Sequence, residues 1–350
     1  MRAEAPGDFV VLPWPSRGSG GGSDSEMGQG LLLSCGAVLG LTVICVALLR
    51  RYIGGGMCCT SLRLDDKTVL ITGANSGIGK ETSRELACRG ARVVMACRDL
   101  TRAEQAAEEI RRSTGNGNVV TRHLDLASIY SVRQFAKDFL DSEDRLDILI
   151  NNAGVMMCPK WLTEDGFETQ LGVNHLGHFL LTNLLLPKLK SSAPSRVINV
   201  SSIAHQGGHI DFEDLFFSRK PYNPLDSYRQ SKLANVLFTR ELARRLKGSG
   251  VSTFCLHPGI IRTELVRHVM DWFPLLRMIL KLPGLLLLKS PHQGCQTTVY
   301  CALTPGLEER SGRYFSDCAE KEPAAEAQDD EVARKLWEQS TQLVGLKDTC

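Results

Sequence analysis

From Lys67 onward the chain alternates two hydrophobic rhythms. Short runs rich in Val, Ile and Leu fall at 68–71, 92–96, 119–123, 146–151, 196–200 and 251–256. They lack the in–out alternation of half-exposed strands, so they predict strands buried on both faces. Between them, apolar residues recur at helical spacing over 79–89, 101–113, 129–141 and 227–246. Alternation of this kind predicts right-handed βαβ crossovers. The expected fold is α/β: a single Rossmann-type, doubly wound parallel sheet with helices on both faces. No linker or repeat interrupts the series, which places one folded domain over 67–320. Asp329-Asp330-Glu331 opens a last helical stretch, where carboxylates suit a helix N-terminus, so 321–350 reads as a C-terminal helix and tail.

The pattern before this domain is different. Residues 1–30 are Gly/Ser-rich without periodicity, which predicts disorder. An uncharged apolar run covers 31–49, long enough to cross a bilayer as a helix, and ends at Arg50 and Arg51. The competing readings are a buried core helix and a cleaved signal peptide, although the latter would have a shorter apolar core nearer the N-terminus. Basic residues after the run, against Asp24 and Glu26 before it, put the main domain on the cytoplasmic side of a lipid bilayer. Met27 is an alternative start to Met1. In the juxtamembrane linker, 50–66, Cys58 and Cys59 are candidates for palmitoylation. A second apolar stretch at 272–288 is broken by Arg277, Lys281 and Pro283 and makes a poor span. It reads as an apolar substrate wall or as an ordinary pair of core helices.

Composition narrows the classes. With 350 residues, 43% of them hydrophobic, the chain can bury a large core. Lys+Arg 41 against Asp+Glu 39 leaves a net charge of +2, with no dense basic run after Arg51, which argues against nucleic-acid binding. The 12 cysteines are scattered without a CxxC pair, so neither a zinc site nor a disulfide framework is expected. His175, His178 and His205 lack metal-ligand spacing and fit loop or core roles. Asn199-Val200-Ser201 matches a glycosylation sequon on a strand expected to be buried.

Candidate chemistry begins where the first strand runs into Thr72-Gly73-Ala74-Asn75-Ser76-Gly77-Ile78-Gly79-Lys80. Gly73, Gly77 and Gly79 lie at a sharp strand-to-helix turn. Missing Cβ atoms there let the backbone approach a pyrophosphate, and the helix N-terminus offers free N–H groups. The second strand ends in Cys97-Arg98-Asp99. An NAD site would place a carboxylate at that point for the ribose 2′-hydroxyl. Cys97 followed by Arg98, with Lys80 in the turn, favours a 2′-phosphate and hence NADP(H); Asp99 as the ribose acid is the competing reading. Tyr228 and Lys232, four residues apart, share one face of a helix. An ammonium favours a nearby phenolate, so Tyr228 is expected to titrate below its ordinary value of about 10 and to act as a general acid–base.

These residues resemble the short-chain dehydrogenase/reductase family over roughly 65–320. The glycine turn looks like the family's TGxxxGxG motif, Asn151-Asn152-Ala153-Gly154 like its NNAG, and Tyr228 with Lys232 like its YxxxK. The resemblance implies that Asp125 contacts adenine, that Asn75, Ser76, Ile78, Asn152, Ala153 and Gly154 join the glycines around the cofactor, and that Pro258, Gly259, Ile261 and Thr263 meet the nicotinamide. It implies a catalytic set of Asn174, Ser202, Tyr228 and Lys232, with Ser201 facing away.

Within the family, the ACRD at the second strand, VNHLGHFLLTNLLL from Val173, SKLANVLFTREL from Ser231 and SGRYFSDC from Ser311 look like the membrane-anchored retinol dehydrogenases that act as NADPH-dependent retinal reductases. The Gly/Ser-rich extension and the 272–288 stretch depart from that group. The resemblance implies retinal or another hydrophobic carbonyl as substrate, with sterol or lipid-derived aldehydes and ketones as the alternative. The expected membrane is the endoplasmic reticulum, with the mitochondrial membrane as the alternative, and a homo-oligomer is allowed. A different class, a catalytically idle NADP(H)-binding scaffold, stands against it.

Overall fold

The computed structural model describes residues 41, 43–261 and 288–347. The Gly/Ser-rich extension, Met27, Thr263 and most of the apolar stretch at 272–288 lie outside them. So does most of the expected span at 31–49. Residues 43–54 are helical, and Val43, Ile44, Leu48 and Leu49 are exposed. Among the described residues no helix is long and apolar enough to cross a membrane.

From Arg51 onward the chain forms one compact unit. Six strands stand where the short apolar runs predict them: β1 (Thr68–Thr72), β2 (Arg92–Cys97), β3 (Val119–His123), β4 (Ile148–Asn151), β5 (Ser195–Val200) and β6 (Val251–His257). Two short strands follow, β7 (Tyr314–Ser316) and β8 (Ala319–Lys321). The sheet order is β3-β2-β1-β4-β5-β6-β7-β8, parallel through β7 and closed by an antiparallel β8. This is the doubly wound topology, in which the chain starts at the middle and reverses direction between β1 and β4.

Strand residues divide between two cores by period-two alternation. Val69, Ile71, Val93 and Met95 face α1 (Gly77–Cys88) and α2 (Leu100–Thr114). Leu70, Val94, Leu149 and Val197 face α3 (Ile129–Ser142), α4 (Gly177–Ser191) and α5 (Pro224–Arg245). The first core also takes α6 (Pro291–Leu303), and the second takes Trp337 of α7 (Asp330–Leu343). Helical periodicity does not reveal α4. Phe179, Leu180, Leu181, Leu185, Leu186 and Leu189 are all buried, so the helix shows no polar stripe.

Candidate active site

The turn after β1 is held by backbone and side-chain hydrogen bonds. Asn152 Nδ2 donates to the Thr72 carbonyl at 2.8 Å, and the Asn152 and Ala153 N–H groups donate to Thr72 Oγ1 at 2.9 and 3.0 Å. The NNAG segment after β4 is thus fastened to the glycine turn after β1. Gly73 has φ 64°, and a Cβ there would come within 2.9 Å of Ala153. A Cβ on Gly79 would lie 2.5 Å from the Gly73 carbonyl and 2.6 Å from Asn152 Nδ2. The chain can turn this tightly only with glycine at both points. Ser76 stands at the N-cap of α1 but makes no capping side-chain bond. The first N–H groups of α1 are therefore available to an anion, which suits the pyrophosphate of a dinucleotide.

The adenosine end differs in part from expectation. Asp99 is the N-cap of α2, its carboxylate accepting from the Arg102 N–H at 3.0 Å. Arg98 is exposed at the tip of β2. Lys80 is not free beside it: its ammonium pairs with Glu109 of α2 at 2.6 Å. The sequence neighbourhood of the turn cannot show a partner on another helix. Asp125 is half-buried and accepts from the Ala127 N–H at 2.9 Å.

Past β5 the Tyr/Lys pair comes into place. Asn223 caps α5, Pro224 occupies its first turn, and the helix carries Tyr228 and Lys232 inward, 5% and 4% exposed. Lys232 Nζ lies 5.7 Å from the Tyr228 ring centroid and donates to the Val200 carbonyl at 3.2 Å. The Ser202 side chain is the polar group beside the phenol, and its hydroxyl oxygen accepts from the Ala204 N–H at 3.2 Å. Ser201, one residue earlier, turns the other way and donates to the Lys232 carbonyl at 2.7 Å.

The electrostatics correct one expectation. Burial pushes the Tyr228 phenol up to about 12, and the neighbouring Ser202 hydroxyl opposes this only in part. Burial also pulls the Lys232 ammonium down to about 8. Loss of water is the largest cause of both shifts, so Tyr228 holds its proton more tightly than a free phenol.

Asn174 sits in a five-residue π turn, Gly172–Leu176, that leads into α4. Its Oδ1 accepts from the Val155 N–H at 2.8 Å, and its Nδ2 donates to the Val155 carbonyl and to Ser231 Oγ, both at 2.9 Å. A Cβ on Gly154 would lie 3.2 Å from Asn174 Oδ1 and 3.5 Å from Lys232 Nζ, so these two groups flank the same spot. Pro258 and Gly259 follow β6, Gly259 with φ 101°, and Ile261 pairs with Lys289 in a short parallel bridge. Asn199 is buried between Asn151 and Thr239. His178 is buried, as the expected core role requires; its 2.8 Å contact with Thr72 Oγ1 is the link the sequence did not predict, and the i, i+4 spacing of Asn174 and His178 was the available signal.

The arrangement combines a protonated phenol, a hydroxyl and an ammonium, joined through Gly154 and Ala153 to the turn before an open helix N-terminus. That set can hold a dinucleotide and deliver a proton to an oxygen next to it. The chain matches the family model for short chain dehydrogenases over residues 67–273. It is 54% identical to human (Homo sapiens) retinol dehydrogenase 13 over 312 residues, 89% of this chain and 94% of that protein. Among solved structures, an uncharacterised protein from Mycobacterium paratuberculosis superposes with TM-score 0.68 at 39% identity, covering 85% of this chain and all of the other. Pseudomonas aeruginosa RhlG, solved as an active-site complex with NADP, superposes with TM-score 0.57 at 26% identity, covering 72% of this chain and 95% of that one. The chain belongs to the short-chain dehydrogenase family and is an oxidoreductase similar to the retinol dehydrogenases.

Proposed function

We propose that this protein is an NADP(H)-dependent reductase of a hydrophobic carbonyl, retinal first among them, held at a membrane by its N-terminal segment. The observation that carries the reading is the buried Tyr228–Lys232 pair with half-buried Ser202, joined through Gly154 and Ala153 to the glycine turn that opens α1. NADP(H), when bound, supplies the hydride. The glycine turn from Gly73 to Gly79, with Asn75, Ser76 and Ile78, would hold its pyrophosphate. Arg98 would meet the 2′-phosphate, and the use of Asp99 as a helix cap supports this over a ribose-binding carboxylate. Asp125 would approach the adenine, Asn152 to Gly154 the ribose side, and Pro258, Gly259, Ile261 and Thr263 the nicotinamide.

The proton chemistry falls to side chains. Ser202 hydrogen-bonds the substrate oxygen as negative charge gathers on it. Tyr228, protonated at any physiological pH, gives that oxygen its proton. Lys232 stabilises the phenolate left behind, and Asn174 shapes the path by which a new proton arrives. Similarity to retinol dehydrogenase 13 supports an apolar retinoid substrate. The apolar run at 31–49, closed by Arg50 and Arg51, supports an anchor with the catalytic domain (67–320) facing the cytosol, in the endoplasmic reticulum or the mitochondrion.

The test follows NADPH absorbance with all-trans-retinal, then with aliphatic aldehydes and ketosteroids. A Tyr228→Phe variant should keep NADPH binding and lose turnover by about a hundredfold or more. If no carbonyl oxidises NADPH, the fold is an idle scaffold and the proposal fails.

A further inference from the structure

One buried group links the glycine turn to the Tyr/Lys helix. His178, 2% exposed, stands at the start of α4, four residues after Asn174. Its Nδ1 lies 3.1 Å from the Asn174 carbonyl oxygen and its Nε2 lies 2.8 Å from Thr72 Oγ1. These contacts admit one proton arrangement. A carbonyl only accepts, so Nδ1 carries the proton and Nε2 is bare. Thr72 then donates its hydroxyl proton to Nε2, while its lone pairs take the N–H groups of Asn152 and Ala153. The other acceptor within reach of Thr72, the Ile150 carbonyl, is 3.5 Å away and offers little. A second proton on the ring would face a hydroxyl with no lone pair left. Burial, together with the charge of Lys232, holds the ring down to about 4; His175 is the other titratable group beside it.

The bridge continues on its far side. Asn174 Nδ2 donates to Ser231 Oγ, and Ser231 donates to the Tyr228 carbonyl at 2.8 Å. Hydrogen bonds therefore tie Thr72 to the Asn174 backbone through His178, and the Asn174 side chain to the Tyr228 backbone through Ser231, the two halves meeting in Asn174 itself. We propose that His178 is a positioning residue for the reaction, a neutral bridge that fixes Asn174 and the helix of Tyr228 and Lys232 relative to the strand end where the cofactor turn begins. The proposal rests on reading the site as an NADP(H) reductase, and it concerns geometry, since the His178 ring bonds to Thr72 and the Asn174 carbonyl rather than to Tyr228 or Lys232.

The test compares His178→Leu, which removes both bonds, with His178→Asn and His178→Gln, which can each keep one. Full-length protein is assayed for kcat, KM for NADPH, thermal midpoint and the pH dependence of kcat. Expected is a kcat loss of about tenfold or more in His178→Leu with KM for NADPH held within about twofold, intermediate losses in the other two, and a displaced alkaline limb in His178→Leu. The proposal is overturned if His178→Leu keeps kcat within about twofold, or if the losses simply follow the thermal midpoints of the three variants. If the variants do not fold, ¹⁵N-histidine NMR of the unaltered protein decides: a neutral Nδ1–H ring between pH 5 and 9 supports the bridge, and an Nε2–H or titrating ring refutes it. Absence of NADPH turnover in the unaltered protein would instead sink the reductase reading, leaving the ring's tautomer to judge the bridge.

Discussion

Gly79→Ala is the sharpest test of the cofactor turn, because helix propensity and close packing pull in opposite directions. Gly79 lies inside α1, where alanine is favoured over glycine by about 1 kcal/mol. Its Cβ would nevertheless sit 2.5 Å from the Gly73 carbonyl oxygen, 2.6 Å from Asn152 Nδ2 and 3.0 Å from the Ala74 Cα. Two of these are backbone atoms, which cannot swing aside as a flexible side chain would. The turn must retreat by about 0.9 Å to bring the Gly73 carbonyl to ordinary contact at 3.4 Å. Overpacking of this kind costs about 1–3 kcal/mol. Displacing Asn152 also strains its 2.8 Å bond to the Thr72 carbonyl, worth about 1 kcal/mol. Net stability should therefore fall by only about 1–3 kcal/mol, since the propensity gain offsets part of the clash. Function should suffer more, because a shift near 1 Å in positioning groups costs about a hundredfold in rate. The assay is kcat/KM for NADPH with NADPH affinity from fluorescence, alongside thermal melts. Gly117→Ala, where nothing lies within 4 Å, is the control and should be silent. A Gly79→Ala variant that melts normally and binds NADPH as tightly as the parent would refute the account of the turn.

Two further outcomes separate the cofactor and proton arguments. If Arg98 meets the 2′-phosphate as proposed, Arg98→Ala should raise KM for NADPH by about tenfold and leave KM for NADH nearly unchanged, since only NADPH carries that group to the exposed guanidinium; equal effects on both cofactors would remove Arg98 from the specificity argument. For pH, Lys232 carries its charge below about 8 and loses it as pH rises, whereas Tyr228, pushed up to about 12, stays protonated throughout. Carbonyl reduction should therefore be level on the acid side and decline as pH rises through about 8. A profile that is flat to pH 10 would show that the Lys232 charge does not matter to the step.

What the sequence disclosed and what it withheld divide along the range of the interactions. The strand runs, the glycine turn and the spacing of Tyr228 with Lys232 are local patterns, and each stands where its pattern predicts. Tertiary effects were the hidden part. Lys80 looked available to a phosphate because its neighbours in sequence say nothing of Glu109, which lies on the next helix. Tyr228 looked acidified by Lys232, yet the helix that pairs them also buries both, and desolvation moves each toward its neutral form. The same burial is useful to a reductase. A phenol that holds its proton until an oxygen takes it, and an ammonium near neutrality that can be recharged, make a donor that is loaded in its resting state. His178 belongs to this hidden class too. Its role is defined only by Thr72, more than a hundred residues earlier, and by a π turn that no periodicity announces. The residues that carry the chemistry were therefore legible from spacing, while those that set its geometry became visible only once the sheet had brought β1 and α4 together.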